Sequence, residues 1–172
     1  MFLVVDVKDE HGYTAAFNAL SSSPATIEGS MAVDAYGLAP GSANQQSDAE
    51  QAYTQTLLGA TAPLPPDKHG ERKLVNTQTW VRIPPEHRPD DWPPHLQDLV
   101  VPLHLALYGH PDAGTYWEMH LNEKLKQVGF EPIPSWPSCY YHRRLCLYLS
   151  VYVDDFKLAG PTLAVKKGWE LI

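Results

Sequence analysis

The sequence predicts an α+β domain in which helices pack on an antiparallel sheet. Helical apolar periodicity occurs near residues 24–36 and 112–130, and short apolar runs joined by tight polar connections follow residue 138. Helices that alternate with short hairpins favour an antiparallel sheet, which we expect to be covered on one face. The 172 residues suffice for one such domain, which would bury roughly 70% of the surface of the unfolded chain.

The first helix is predicted by its start signal and its spacing. Three serines before Pro24 provide a capping serine and a proline at the first helical position. Apolar residues then recur every four positions, at Ile27, Met31 and Ala35, and Gly37 supplies the stop. We therefore predict a helix over residues 24–36.

The next segment carries weaker signals. Residues 45–55 are polar and indicate a strand only weakly. Prolines crowd residues 61–94, which we expect to be extended or looped, with residues 79–83 as one strand.

A second helix and a run of hairpins are predicted in the last third of the chain. Asp112 can cap the helix, and we expect Gly129 followed by Phe130 to end it. Its apolar stripe consists of Trp117, Leu121, Leu125 and Val128. Residues 139–142 and 145–153 predict two strands joined at Arg143-Arg144, and residues 156–159 a third strand joined at Asp154-Asp155.

The charge of the chain is negative and unevenly spread. The net charge is −7; residues 1–114 carry 6 Lys and Arg against 14 Asp and Glu, and residues 115–172 carry 7 against 6. Phosphate contacts need basic side chains, so most of any nucleic-acid-binding surface would have to come from elsewhere.

The location of the protein is predicted from its ends and its cysteines. Charged residues interrupt the apolar run at residues 1–5, so we predict neither a signal peptide nor a membrane span. Two cysteines are too few for a disulfide framework, and we expect an intracellular, reducing compartment.

The adjacent carboxylates Asp154 and Asp155, between two apolar strands, are the most informative feature. Tight hairpins prefer Asn-Gly or Asp-Gly, so this pair is either a plain solvated turn or a magnesium site. Two Mg²⁺ ions about 3.5–4 Å apart can support an in-line displacement. Neighbouring side chains on one strand point to opposite faces, so the site needs another carboxylate. Spacing alone does not choose among Asp34, Asp48 and Asp98.

Several stretches of the chain resemble, in order, the palm region of the reverse transcriptase of copia-type retrotransposons. Residues 47–55 are similar to its first catalytic segment, an Asp followed five places on by an aromatic residue. Residues 105–117 are similar to its lysine-alanine-leucine-tyrosine-glycine segment with the helix that it opens. Residues 149–160 contain the Tyr-Val-Asp-Asp element. Residues 80–85 and 137–141 complete the series, which spans roughly residues 20 to 160.

The resemblance implies an RNA-directed DNA polymerase, in which the primer 3′-hydroxyl attacks the α-phosphate of a deoxynucleoside triphosphate and pyrophosphate leaves. It implies a triad of Asp48, Asp154 and Asp155 that holds two Mg²⁺ ions, with Mn²⁺ as a possible substitute, and the carbonyl of Ala49 as a further ligand. The implied partners are an RNA or DNA template with its primer, deoxynucleoside triphosphates and the rest of the retrotransposon polyprotein, without a membrane. The implied location is cytoplasmic particles or the nucleus.

Three further residues receive nucleotide-site roles from the resemblance. Tyr53 would lie beneath the sugar of the incoming nucleotide and exclude a 2′-hydroxyl; the plain alternative is core packing. Gly109 would let the backbone approach the nucleotide or templating base, and its alternative is a turn glycine. Tyr152 would pack near the primer end, or is simply a tyrosine at a sheet edge.

The chain also departs from the family. Residues 1–6 occupy the place of a basic fingers strand that grips the triphosphate. We expect one domain fragment over residues 1–172, with partial fingers at 1–45, palm at 46–172 and no thumb. An inactive remnant or interaction module and a palm-fold nucleotide cyclase therefore stay open as alternatives. A zinc site at Cys139, His142 and Cys146 lacks a fourth ligand nearby.

Overall fold

The structure, a computed structural model, describes residues 22–58, 79–93, 95 and 100–172. It divides into two compact units. The sheet unit comprises residues 22–52 and 117–172, and the hairpin unit comprises the described residues from 53 to 116. A single domain with a border between residues 45 and 46 stays a prediction.

The sheet unit is built on a five-stranded sheet in the order β1-β7-β6-β5-β4. Every neighbouring pair is antiparallel. The strands are β1 (Ser42–Asp48), β4 (Glu131–Pro132), β5 (Cys139–His142), β6 (Leu147–Tyr152) and β7 (Asp155–Pro161). The helices are α1 (Ile27–Gly37), α2 (Ala113–Gln127) and α3 (Thr162–Leu171). The mixed α/β architecture with an antiparallel sheet is thereby confirmed.

Helices cover both faces of the sheet, so the prediction of one covered face is wrong. A Cβ at Gly37 of α1 would touch Ala159, whereas a Cβ at Gly168 of α3 would meet Leu147 and Leu158. Leu158 and Ala159 are consecutive in β7 and point to opposite faces. Both are fully buried, because β7 is an interior strand that presents apolar side chains on each side.

The first helix begins three residues later than predicted and buries a different face. Thr26 caps it, and its hydroxyl oxygen accepts a hydrogen bond from the Gly29 N–H at 3.1 Å. The buried residues are Gly29 and Val33, whereas Ile27, Met31 and Ala35 are exposed. Gly29 allows the close contact, because a Cβ there would lie 2.8 Å from the Cys139 sulfur.

The second helix and its end are confirmed. Gly129 has a φ of +95° just after α2, and the Phe130 N–H donates to the Leu125 carbonyl at 2.9 Å. The Phe130 ring is fully buried and packs edge-on against His142, with 5.1 Å between ring centroids. The hydrophobic residue after the glycine therefore fastens the end of α2 to the sheet.

The remaining strand predictions are met in part. The predicted strand at residues 79–83 is β2 (Trp80–Arg82), which pairs with β3 (Val100–Pro102) in the hairpin unit. The weak strand at 45–55 is β1 up to Asp48, followed by a 3-10 helix at Ala52–Gln55. Most of the proline-rich stretch, residues 61–78, lies outside the described residues. Among the helices that the structure describes, none combines the length and apolar character needed to cross a membrane.

Candidate active site

The turn between β6 and β7 lies one residue earlier than predicted. Tyr152 pairs with Asp155 across the two strands, so the two-residue turn is Val153-Asp154 and Asp155 is the first residue of β7. Val153 has a φ of +59°. A positive φ at the first central residue is the geometry of a type II′ turn, which suits the twist of a hairpin. The Asp154-Asp155 turn of the prediction is therefore wrong, although both carboxylates lie at this end of the sheet.

Pairing of β1 with β7 brings Asp48 opposite Asp155. Side chains of residues that face each other across antiparallel strands have Cβ atoms about 4.5–5.5 Å apart. Both residues are exposed, on the face of the sheet that α1 covers elsewhere. Desolvation raises the pKa of the Asp155 carboxyl, and so do its hydrogen bond with Asp48 and the negative charges of Asp48 and Asp154.

Asp154 is half-buried in the turn. Its carbonyl accepts a hydrogen bond from the Ala49 N–H at 2.8 Å, which ties the turn to the residue after Asp48. Within the described ranges, no three His, Cys, Asp or Glu side chains are gathered closely enough to hold a metal ion. The triad as one metal-binding group therefore stays a prediction, while the two facing carboxylates offer the oxygen ligands that Mg²⁺ prefers.

A hydrogen bond from the indole of Trp117 also fixes this turn. Trp117 is buried on α2, and its Nε1–H donates to the Val153 carbonyl at 2.7 Å. Val153 is the one β-branched residue among the described non-glycine residues with positive φ. Such a conformation costs on the order of 1–3 kcal/mol, so surrounding contacts must maintain it.

A groove of about 410 Å³ opens beside the facing carboxylates. Asp48, Asp155 and the exposed ring of Tyr152 line it from the sheet, and Ile27 and Met31 line it from α1. The groove therefore combines an acidic end with apolar walls. The side chains of Ile27 and Met31, whose spacing predicted the first helix, border this groove.

Lys157 is the cation of the groove, two residues after Asp155 on the same face of β7. Its Nζ donates to the Ser30 hydroxyl at 2.8 Å and to an Asp34 carboxylate oxygen at 3.0 Å. The Lys157 side chain is only 18% exposed, so this pair is partly shielded from water. Asp34, a possible third carboxylate on spacing alone, thus serves as the partner of Lys157.

Tyr53 and Gly109 belong to the hairpin unit. The half-buried Tyr53 packs against the core cluster of that unit, and its ring centroid lies 4.6 Å from that of Tyr108. Gly109 has a φ of +94°, and a Cβ there would meet no described atom within 4 Å. Its glycine is therefore required by the backbone conformation and not by a close neighbour.

Two residues of the site were missed as functional candidates. Trp117 was predicted as a member of an apolar stripe, and nothing in the sequence indicates what its N–H contacts. Lys157 did carry a signal, because a lysine within an apolar strand needs a charged or polar partner. Cys139 and His142 lie on opposite faces of the sheet, since they are three residues apart in β5, and this separates two of the suggested zinc ligands.

The chemical capacity of the site rests on carboxylates held by three backbone segments. Asp48 comes from the end of β1, Asp154 from the turn and Asp155 from the start of β7. Of these, Asp48 and Asp155 face each other and offer oxygen ligands of the kind that a divalent cation prefers. No family model, curated protein or solved structure matches the chain.

Proposed function

We propose that the chain is the palm region of a copia-type retrotransposon reverse transcriptase, an RNA-directed DNA polymerase. The observation that carries the proposal is the pairing of Asp48 with Asp155 beside the Asp154 turn. The family resemblance nominated these three residues, and Asp48 and Asp154 lie 106 positions apart in the sequence. The pairing that sets Asp48 opposite Asp155, next to the turn residue Asp154, supports the proposed palm fold.

The carboxylates would act as metal ligands and not as nucleophiles. Asp48, Asp154 and Asp155 would hold Mg²⁺ in their ionised form, with the Ala49 carbonyl as an additional oxygen ligand. When bound, two such ions neutralise phosphate charge and assist the attacking and leaving oxygens of an in-line displacement. Desolvation and the charges of Asp48 and Asp154 raise the pKa of Asp155, and a bound cation would counter this shift by favouring the ionised carboxylate. The protein's contribution is orientation and charge.

Three further residues would position the primer and the nucleotide. Tyr152 is exposed beside Asp155 and would contact the primer end. Tyr53 would exclude a 2′-hydroxyl, and Gly109 would supply a turn next to the nucleotide. The contact of Tyr53 with Tyr108 supports a fixed ring orientation, which a steric gate requires.

Primer extension on an RNA template tests the site. With Mg²⁺ or Mn²⁺, we expect Asp154→Asn and Asp155→Asn to abolish extension, because each substitution removes a metal ligand. Asp90→Asn, an exposed acidic residue of the hairpin unit, is the matched control and should retain extension. The assay should compare the 172-residue chain with a version extended at both ends. Equal extension by wild type and Asp154→Asn would refute the assignment.

Sugar selection tests the gate separately. Tyr53→Val should admit ribonucleotides, because it removes the ring that would collide with a 2′-hydroxyl. The measurement is the ratio of kcat/KM for deoxyribonucleotides and ribonucleotides. An unchanged ratio would remove the gate role and return Tyr53 to core packing.

A noncatalytic interaction module is the second candidate. The observation that favours it is the net charge of −7, which opposes binding to nucleic acid. Binding of a primer–template duplex at several salt concentrations separates the two. A polymerase palm should bind with affinity that falls as salt rises, whereas an interaction module should show no duplex binding.

A further inference from the structure

The indole N–H of Trp117 makes a contact that core packing does not need. The ring of Trp117 is buried, with 5% of its surface exposed, and a phenyl or leucyl side chain could fill apolar space equally well. Only tryptophan among the apolar side chains brings a ring N–H donor. That donor lies 2.7 Å from the carbonyl oxygen of Val153.

The accepting carbonyl belongs to Val153, a β-branched residue in an unfavourable backbone conformation. Val153 combines a φ of +59° with a β-branched side chain, and other turn conformations of this residue are intrinsically easier. Rotation of the peptide between Val153 and Asp154 would turn this carbonyl away from Trp117. The hydrogen bond therefore selects one orientation of the peptide that precedes Asp154.

A second hydrogen bond fixes the next peptide of the turn. The Ala49 N–H donates to the Asp154 carbonyl at 2.8 Å. The two contacts thus hold consecutive carbonyls of the turn, one from α2 and one from the end of β1. Together they set the direction in which the chain enters β7, where Asp155 faces Asp48.

We infer that Trp117 is a positioning residue that orients the Asp154-Asp155 carboxylates through the Val153 carbonyl. The effect on catalysis rests on the proposed polymerase function, whereas the effect on the turn does not. Trp117 touches no reacting group, so its removal should alter the arrangement of the carboxylates and leave nucleotide binding intact.

The test replaces the donor and keeps the shape. Trp117 is exchanged for β-(3-benzothienyl)alanine, in which sulfur takes the place of the indole N–H. The matched control is the same exchange at Trp169, whose Nε1–H donates to Gln45 at 2.9 Å on the face that α3 covers. Amide hydrogen exchange of Ala49 is measured against the amide of Leu149 in the middle of β6. Primer extension is measured in parallel.

With the replacement at residue 117, we expect faster amide hydrogen exchange at Ala49 and unchanged amide hydrogen exchange at Leu149. We also expect kcat to fall by about fivefold, roughly what one net hydrogen bond contributes, with an unchanged KM for the nucleotide. The replacement at residue 169 should change neither the amide hydrogen exchange rates nor kcat nor KM.

Three results discriminate the inferences. Unchanged Ala49 exchange in the 117 variant would refute the positioning role, and so would equal acceleration at Ala49 and Leu149, which indicates general loosening. Faster hydrogen exchange at Ala49 alone would support the positioning role, and if neither the wild-type chain nor its version extended at both ends extends a primer, the proposed function is refuted.

Discussion

Asp48→Asn tests the central geometric claim, that Asp48 and Asp155 face each other as like charges. Directly opposed like charges on antiparallel strands are destabilising, and cross-strand pairs are worth about 0.2–1 kcal/mol. Both side chains are exposed, so water and salt screen the repulsion. We therefore expect Asp48→Asn to increase the free energy of unfolding by about 0.2–1 kcal/mol at low salt. For a chain of this size the melting temperature would rise by up to about 2–4 °C.

Magnesium should reverse the order of the two proteins. An ion that binds the folded state at ten times its Kd stabilises by RT ln 11, about 1.4 kcal/mol. The wild type should gain this amount if, as proposed, Asp48 and Asp155 both bind the ion. Asp48→Asn lacks one of these ligands and should gain little. Without Mg²⁺ the variant would be the more stable protein, and near saturation the wild type would be.

Thermal unfolding followed by circular dichroism, first with a chelator and then with rising Mg²⁺, measures both effects. Glu123→Gln is the matched control, because it removes one negative charge from an exposed position on α2. The control should show neither the stabilisation nor the loss of the Mg²⁺ response. In chelator, a melting temperature of Asp48→Asn below that of the wild type would refute the repulsion between Asp48 and Asp155. An equal rise of the melting temperature in chelator for Glu123→Gln would refute it as well.

Two further predictions concern stability. Desolvation lowers the pKa of the buried His110 from its ordinary value of about 6.5, so the folded state favours the neutral imidazole. The contribution of neutral His110 to the free energy of unfolding is therefore fully present above about pH 6.5. It is lost as the pH drops from there through the lowered folded-state pKa. Urea unfolding should show a smaller acid loss for His110→Gln than for wild type, and an equal loss would contradict this. Gly160→Ala should destabilise by about 2 kcal/mol or more, because φ is +153° and the new Cβ would collide with the Cys146 carbonyl oxygen. A change in unfolding free energy of less than about 0.5 kcal/mol would contradict the collision.

Elements with a strong local signal were predicted well. α2 carries a regular apolar stripe, and Gly129 followed by Phe130 marks its end by a backbone conformation that glycine adopts without strain. The strands β5 and β6 follow from short apolar runs rich in tyrosine and leucine. In each case the local sequence of the element is sufficient to predict it.

Helix faces were predicted poorly where glycine makes the contact. α1 buries Gly29 and exposes Met31, and α3, which was not predicted, buries Gly168 while Leu163 is 95% exposed. A pattern of large apolar residues cannot reveal such faces, because close approach depends on the side chain that is missing. β4 was also missed, since its two residues are a strand only through their pairing with β5.

The candidate site was predictable in composition but not in geometry. Adjacency indicated Asp154 and Asp155, and only the family resemblance chose Asp48. The register that sets Asp48 opposite Asp155 depends on the whole β1–β7 ladder. Polar residues such as Gln45 and Gln46 give no alternating apolar pattern from which this register could be predicted. The turn was misplaced by one residue because valine is an unfavourable choice for positive φ.

The same hairpin end concentrates two unfavourable features. Val153 contributes strain of about 1–3 kcal/mol, and the facing of Asp48 and Asp155 adds about 0.2–1 kcal/mol. Either is a noticeable part of a typical folding stability of about 5–15 kcal/mol. An Asn-Gly turn and one neutral side chain would remove both, so selection for stability alone does not account for this end of the sheet. Strain observed at a residue supports an inference of function when, as here, buried contacts from Trp117 maintain it and ionisable ligands adjoin it.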